Sequence, residues 1–381
     1  MQYSDIYNAN SLYDAFMKAK RGSDWKESVQ RYEQNLLLNI YDTRKALATN
    51  TYQQKPFVEF DLNERGKTRH IKSMHISDRV VQRSACDQVI TPALRKYLIY
   101  DNGASLEGKG VDFARRRLET HLHKYYRKHG NHGYILLLDC SKFFDNLPHD
   151  VLREQAKGKL PEDCEDFFAY LINTFKVDVS AFSDEEIIEM RDGVFNSLEY
   201  DKRKKKGCDN PKWLEKSVGI GSQISQDCGV FLPTRIDNYI KIVKGVKFYG
   251  RYMDDSYIIS ESKEFLHQLL PEIIAQYKEL GLTINEKKTQ ILCIDKGFTW
   301  LKIKYHITPT GKVIKRIPHD TVVRMRRKLK KLKRKLDAGL MTYEDIDLMY
   351  KSWCGNVEKY HSYQTLQNLN KLFNELYGGY Q

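Results

Sequence analysis

No stretch of the 381 residues approaches the roughly 18 to 20 consecutive apolar side chains that a bilayer-spanning helix needs. The opening MQYSDIYNAN also lacks the basic and apolar regions of a signal peptide. These two absences predict a soluble, cytoplasmic chain with no membrane partner. The seven cysteines (Cys86, Cys140, Cys164, Cys208, Cys228, Cys293 and Cys354) are an odd number, without a CxxC pair or a histidine at zinc spacing. That argues against a disulfide framework and against a zinc site. Internal repeats and low-complexity linkers are absent too.

Acidic residues are the minority among the charges: 50 Asp+Glu against 63 Lys+Arg, a net charge of +13. The excess favours a polyanionic partner such as nucleic acid, although an anionic membrane surface fits the charge as well. Many of the 25 tyrosines stand beside Lys or Arg, as in His123-Lys124-Tyr125-Tyr126-Arg127-Lys128. Taken singly, such a stretch reads as a solvated helix with its tyrosine stems packed inward. Only together do these stretches suggest nucleic acid.

Apolar positions Leu12, Phe16, Leu36, Leu37 and Ile40 recur at helical spacing over residues 3–50. PFVEFDL at 56–62 alternates, and Glu64-Arg65-Gly66-Lys67 turns it back into Thr68–His75 as a hairpin. The pattern is helical from Asp78 to about Lys128, with a turn at Asp101-Asn102-Gly103. YILLLD, residues 134–139, is a short apolar run that suits a buried strand, and a helix is expected from about Pro148. The polar, basic segment 200–216 reads as a solvated loop or insertion, with an RNA contact as the alternative. Residues 246–260 predict strand, tight turn and strand around Met253-Asp254-Asp255, followed by a helix over 263–280 that stops at Gly281 and a strand in TINEKKTQIL. The run FTWLKIKYHI from Phe298 leads to a hairpin turn at Thr310-Gly311-Lys312. Beyond Pro318 the composition turns intensely basic: RMRRKLKKLKRKL carries Met325, Leu329, Leu332 and Leu336 as one apolar stripe, and two or three helices complete a small helical subdomain.

Two carboxylate clusters stand at strand ends: Asp139 with Asp145 nearby, and Asp254-Asp255 between FYGRY and SYIIS. Adjacent aspartates at a hairpin tip repel each other unless cations sit there; the bland alternative is a turn whose carboxylates satisfy backbone amides. Oxygen ligands at this density suit Mg²⁺, with Mn²⁺ as a substitute. With Asp139 beside the hairpin, two ions roughly 3.5–4 Å apart could activate a 3′-hydroxyl and steady a leaving pyrophosphate, the chemistry of nucleotidyl transfer.

Tyr252-Met253-Asp254-Asp255 between apolar strands is the YxDD signature of reverse transcriptases, and the chain resembles that family over about residues 10–370. The resemblance implies an α+β right-hand polymerase with helical and hairpin fingers over 1–130, a palm of antiparallel sheet and helices over 131–317, and a helical thumb over 318–381. It makes Asp139, Asp254 and Asp255 the catalytic metal ligands, with Tyr252 and Met253 beside the nucleic acid. Asp139-Cys140-Ser141-Lys142-Phe143-Phe144-Asp145 is similar to the first palm motif and makes Phe144 the ring that excludes a ribose 2′-hydroxyl, a selection by clash. Ile220-Gly221-Ser222-Gln223-Ile224-Ser225-Gln226 is similar to the next motif, which implies nucleotide contacts for Gly221, Ser225 and Gln226. Its IGxxxSQ form, in place of QGxxxSP, resembles the enzymes of diversity-generating retroelements, which copy a template RNA with frequent errors at adenines.

Lys287 or Lys288 stands where the family brings a lysine to the triphosphate, with Lys287 placed in the nucleotide site. Phe298-Thr299-Trp300-Leu301-Lys302 stands at the primer-grip position but lacks its F-L-G glycine. Lys67 and Arg69 resemble the fingers residues that bind the triphosphate, whereas Arg79 could instead form a structural pair with Asp78 or a neighbouring helix. The segment 101–116 also resembles a fingers segment, which implies a template contact for Lys109, and the basic helix fits a thumb whose Arg326, Arg327, Lys330 and Lys333 would meet duplex phosphates. The implied partners are a template RNA, the RNA/DNA duplex, dNTPs and a small basic helical accessory oligomer. RNase H, protease and endonuclease motifs are not visible. Two rivals are an antiphage or abortive-infection reverse transcriptase and a maturase-like RNA-binding protein; an RNA-dependent RNA polymerase is disfavoured by Phe144.

Overall fold

A computed structural model describes residues 1–64, 66–201 and 211–380. Most of the basic segment 200–216 lies outside the described residues, as does Arg65 of the first turn. Helices alternate with short strands: β1 (Val58–Glu64), β2 (Lys67–Ser73), β3 (Tyr134–Leu138), β4 (Val177–Asp178), β5 (Trp213–Leu214), β6 (Tyr249–Tyr252), β7 (Asp255–Ser260), β8 (Gln290–Cys293), β9 (Phe298–Trp300), β10 (Ile303–Ile307) and β11 (Val313–Arg316). They form a four-stranded sheet in the order β6-β7-β3-β8, a three-stranded sheet β11-β10-β9, and the pairs β1-β2 and β4-β5. The class is mixed helix and sheet, as expected. Among the described residues no helix is long and apolar enough to cross a membrane.

The chain divides into two compact units. The first comprises Met1–Gly110, Leu138–Ser256 and Gln268–Thr289. Its N-terminal part is helical because Leu12, Ala15, Phe16 and Ala19 share one stripe, buried with Val29, Tyr32, Ile40, Ile76 and Val80. Asn8 starts the helix Ala9–Ala19 by accepting from the Asn10 amide. The β1–β2 hairpin follows in antiparallel register, Phe60 opposite Ile71 and Leu62 opposite Arg69. The expected helix after Pro148 runs His149–Ala156. The expected helix 263–280 runs Lys263–Glu279, and Gly281 follows with the left-handed φ of +71° that favours glycine.

The strand expected throughout TINEKKTQIL starts late. Asn285 turns its amide to the Asp139 carbonyl (2.7 Å), and the Lys288 and Thr289 amides return to the Asn285 carbonyl, so the chain makes a turn before β8 begins at Gln290.

The second unit comprises Val111–Leu137, Tyr257–His267 and Gln290–Gln381. Tyr134–Leu137 of β3 pairs antiparallel with β8, Tyr134 opposite Cys293. The apolar run from Phe298 folds back on itself: Leu301 and Lys302 both take positive φ (44° and 62°), the turn that joins β9 to β10. Three helices, His319–Asp337, Tyr343–Val357 and Tyr363–Tyr377, then bury Met325, Leu329, Leu332, Ile346, Tyr350, Leu369 and Phe373 together. The Tyr350 and Phe373 rings stack 4.4 Å apart, and Tyr377 donates to the Leu329 carbonyl at 2.6 Å.

Candidate active site

Local chemistry puts two of the carboxylates at a hairpin tip. Tyr249, Gly250 and Arg251 are buried on β6, and Ser256 to Ile259 are buried on β7. Between them Met253 adopts φ +55°, an uncommon backbone for a side chain of its size. It is held by Arg251, whose Nη1 donates to the Met253 carbonyl at 3.0 Å. Asp139 follows β3, and its backbone is tied down by Asn285, while the Ser141 amide donates to the Thr283 carbonyl at 2.8 Å and Cys140 bridges Ile284. The Asn285–Thr289 turn then delivers Lys288, whose Nζ meets Asp139 Oδ2 at 2.6 Å.

The electrostatics show that these carboxylates feel one another. Burial pushes Asp254 up to about 6, with Asp139 adding to the rise. Burial pushes Asp255 up to about 7, reinforced by Asp254 and then Asp139; Lys288 and Lys67 oppose both rises. For Lys288, burial works against the charge, but Asp139, with Asp254 and Asp255, outweighs it and raises the ammonium. In kind, three acidic side chains with only oxygen donors fit a hard divalent cation. As placed, they are not gathered into a ligand cluster: among the described residues no group of three or more His, Cys, Asp or Glu could hold a metal ion. The Lys288 ammonium is bonded to Asp139 instead.

Phe144 sits half-buried on the short 3₁₀ turn Phe143–Asn146, edge-on to Phe143 at 5.5 Å. Both rings lie against Gly229, where a β-carbon would come within 3.1 Å of each. Glycine in mid-helix therefore makes room for the pair. Asp145, which the sequence sets near Asp139, turns elsewhere: it accepts from the Ser197 amide and hydroxyl at 3.2 and 2.9 Å. The glycine turn before the helix Gln223–Phe231 has Gly221 at φ +117°, facing Ile71 of β2. Ser222 caps that helix by accepting from the Ser225 amide. Ser225 is buried and donates to the Val218 carbonyl, whereas Gln226 is exposed and accepts from Ser105 at 2.7 Å.

The remaining candidates divide. Lys67 is exposed at the start of β2 and acts electrostatically on Asp254 and Asp255; Arg69 pairs with Glu64 at 3.2 Å. Arg79 is structural: of the two expected partners it takes the neighbouring helix, donating to the Ala19 carbonyl that ends Ala9–Ala19 at 3.0 Å. Lys109 braces its own loop by donating to the Tyr100 and Asn102 carbonyls at 2.7 and 3.0 Å. Tyr252 and Met253 are half-buried at the hairpin tip. Lys287 is exposed, and its neighbour Lys288 is the lysine that reaches a carboxylate. In the second unit Arg326, Arg327 and Lys330 are exposed on the face opposite Met325 and Leu329, whereas Lys333 is tied to Asp337 and to Tyr380 (3.0 Å).

Sequence reasoning passed over Arg251, Asp237 and Gly229. An arginine inside the otherwise apolar YGRY strand was the available signal for the first. Asp237 and Gly229 look like ordinary helix residues.

Residues 226–305 match the family described as Reverse transcriptase (RNA-dependent DNA polymerase). That segment includes Tyr252–Asp255 and Lys288 but neither Asp139 nor Phe144. No curated protein matches the chain. Among solved structures it is similar to apo telomerase from Candida tropicalis truncated from its C-terminal domain (15% identity, TM-score 0.44, covering 74% of this chain and 60% of that one). It is also similar to apo telomerase from the same organism (17% identity, TM-score 0.43, covering 69% of this chain and 49% of that one). The chain thus spans 49% to 60% of the length of these two structures.

Proposed function

We propose that the chain is an RNA-directed DNA polymerase whose site is Asp139, Asp254 and Asp255. One observation carries this reading: in the segment that matches the reverse transcriptase family, two adjacent half-buried carboxylates stand at a hairpin tip, where Asp139 acts against the charge of both and Asp254 against that of Asp255. Carboxylates that repel one another are stabilised by cations, and Mg²⁺ would be held by these three once they were drawn together around it, supplying the charge that activates a primer 3′-hydroxyl and steadies the leaving pyrophosphate.

The chain's own groups do the rest. Lys288 would give up Asp139 to a cation held there, and Lys67 with Arg69 would receive the triphosphate through charge-assisted hydrogen bonds. Phe144 closes the space beside the sugar C2′, so that a ribose clashes and a deoxyribose fits. Gly221 lets the backbone approach the incoming nucleotide closely. Fingers, palm and thumb correspond to residues 1–130, 131–317 and 318–381. The exposed cations Arg326, Arg327 and Lys330 grip the RNA/DNA duplex through phosphates, without choosing sequence.

Ile220-Gly221-Ser222-Gln223-Ile224-Ser225-Gln226 supports the narrower assignment to a diversity-generating retroelement, with a structured template RNA and a small basic accessory oligomer as partners. The test is primer extension on an RNA template with Mg²⁺, comparing wild type with Asp254→Ala/Asp255→Ala and sequencing the product. DNA synthesis that the double substitution abolishes supports the polymerase, and errors concentrated opposite adenine support the narrower class. Equal inactivity of both proteins, even with co-expressed neighbouring genes and native RNA, overturns it in favour of an RNA-binding role.

A further inference from the structure

A buried arginine joins the carboxylate turn to the helix behind the Phe144 ring. Arg251 and Asp237 are both 0% exposed, and their pairing is bidentate: Nε to Oδ1 at 2.8 Å and Nη2 to Oδ2 at 2.6 Å. Tyr249 donates to the same carboxylate at 2.5 Å. The guanidinium has hydrogens left over, and these go to backbone rather than to water. Nη1 donates to the Met253 carbonyl at 3.0 Å and to the Gly229 carbonyl at 3.5 Å, and Nη2 donates to the Val230 carbonyl at 2.8 Å. Its own backbone is fastened from the other side, where the Gly103 amide donates to the Arg251 carbonyl (2.9 Å) and the Arg251 amide to the Asp101 carbonyl (3.2 Å).

Resting on the polymerase reading of Asp254, Asp255 and Phe144, we infer that Arg251, oriented by Asp237, is a positioning residue that sets the carboxylate turn and the sugar-excluding ring together. The physical reason lies in what each carbonyl belongs to. Met253 has the left-handed backbone immediately before Asp254, so the direction of its carbonyl sets the direction of both carboxylates. Gly229 is the surface against which Phe143 and Phe144 pack, and a β-carbon there would press on both rings at 3.1 Å. A single planar, five-donor group bonded to both carbonyls transmits any shift of one to the other. Lysine, with a point charge and no fork, can satisfy Asp237 but not all three carbonyls in their present places.

The experiment compares full-length Arg251→Lys and Asp237→Asn with Leu152→Ala, a fully buried core position that bonds to neither carbonyl and serves as the stability control. Three quantities are read: kcat with dNTPs, the ratio of kcat/KM for dNTP over rNTP, and Mn²⁺ affinity of the nucleotide-free protein by electron paramagnetic resonance. For either substitution at the pair, kcat is expected to fall on the order of 10²-fold, as misplacement by about 1 Å costs. The discrimination ratio should fall with it and Mn²⁺ should bind more weakly, while Leu152→Ala at a matched loss of Tm leaves all three unchanged per folded molecule. If Arg251→Lys and Asp237→Asn behave like Leu152→Ala, the inference is overturned. Phe144→Ala and Asp254→Ala run alongside: if Phe144→Ala leaves the ratio unchanged, the sugar-gate reading fails, and if Asp254→Ala keeps its activity, the polymerase reading fails. Either result is separate from failure of the Arg251 coupling.

Discussion

Asp227 offers a test of the electrostatics away from the carboxylate turn. It lies in the helix Gln223–Phe231, 6% exposed, and accepts from the Thr91 hydroxyl at 2.9 Å and from Gln223 Nε2 at 3.5 Å. The buried Cys86 thiol also bonds to it, and Asp87 and Cys228 are its other titratable neighbours. Burial pushes it up to about 6, and Asp87 adds to the rise. A folded-state value above the ordinary 3.8 means that the folded protein prefers the protonated acid. This contribution to stability is therefore fully present below about pH 4 and is lost as pH rises through 6, to a total of about 3 kcal/mol. Asp227→Asn keeps the shape and never ionises. Relative to wild type, its stability should gain about 2 kcal/mol between pH 4.5 and pH 8, because the remaining ~1 kcal/mol is already lost at pH 4.5. Urea unfolding of both proteins at the two pH values measures this, since titrating groups that do not interact with Asp227 cancel in the difference. A difference in stability that does not change with pH would refute the argument that Asp227 is held against ionisation.

The remaining predictions concern the site and its substrate. Phe144→Ala should lower the preference for dNTP over rNTP in primer extension, because the clash with the 2′-hydroxyl is removed. Lys288→Met should strengthen Mn²⁺ binding to the nucleotide-free protein by removing the ammonium bonded to Asp139; unchanged or weaker binding speaks against competition between lysine and cation at that carboxylate. Arg326→Gln, Arg327→Gln and Lys330→Gln should each weaken RNA/DNA duplex binding and reduce the salt slope of log K by about 1. Lys333→Gln should do so less, since its ammonium already has Asp337 and Tyr380 as partners.

Much of this protein follows from local pattern. The alternation in PFVEFDL, the apolar run before Asp139 and the strand–turn–strand around Asp254 and Asp255 are periodicities a few residues long, and the structure realises each as a strand or hairpin. The stripe Met325, Leu329, Leu332 likewise sets the inner face of the last basic helix. Side-chain spacing alone decides such features, because each residue's face is determined by its near neighbours.

What the sequence could not decide depends on partners far along the chain. Asp145 and Asp139 look alike as carboxylates near one strand end, but Asp145 is bonded to Ser197, 52 residues on. Lys287 and Lys288 are equivalent on paper; the turn anchored by Asn285 on the Asp139 carbonyl selects Lys288. The same bond shortens the strand expected there. Arg251 reads as a stray charge on a strand until Asp237 and three carbonyls surround it, and only tertiary packing places those acceptors within hydrogen-bond reach of one side chain. Sequence by itself therefore determined which residues bear charge and which face each turns, because those are local properties. Tertiary structure alone decided which charges neutralise one another, because Coulomb and hydrogen-bond energies depend on distance in space and not on separation along the chain.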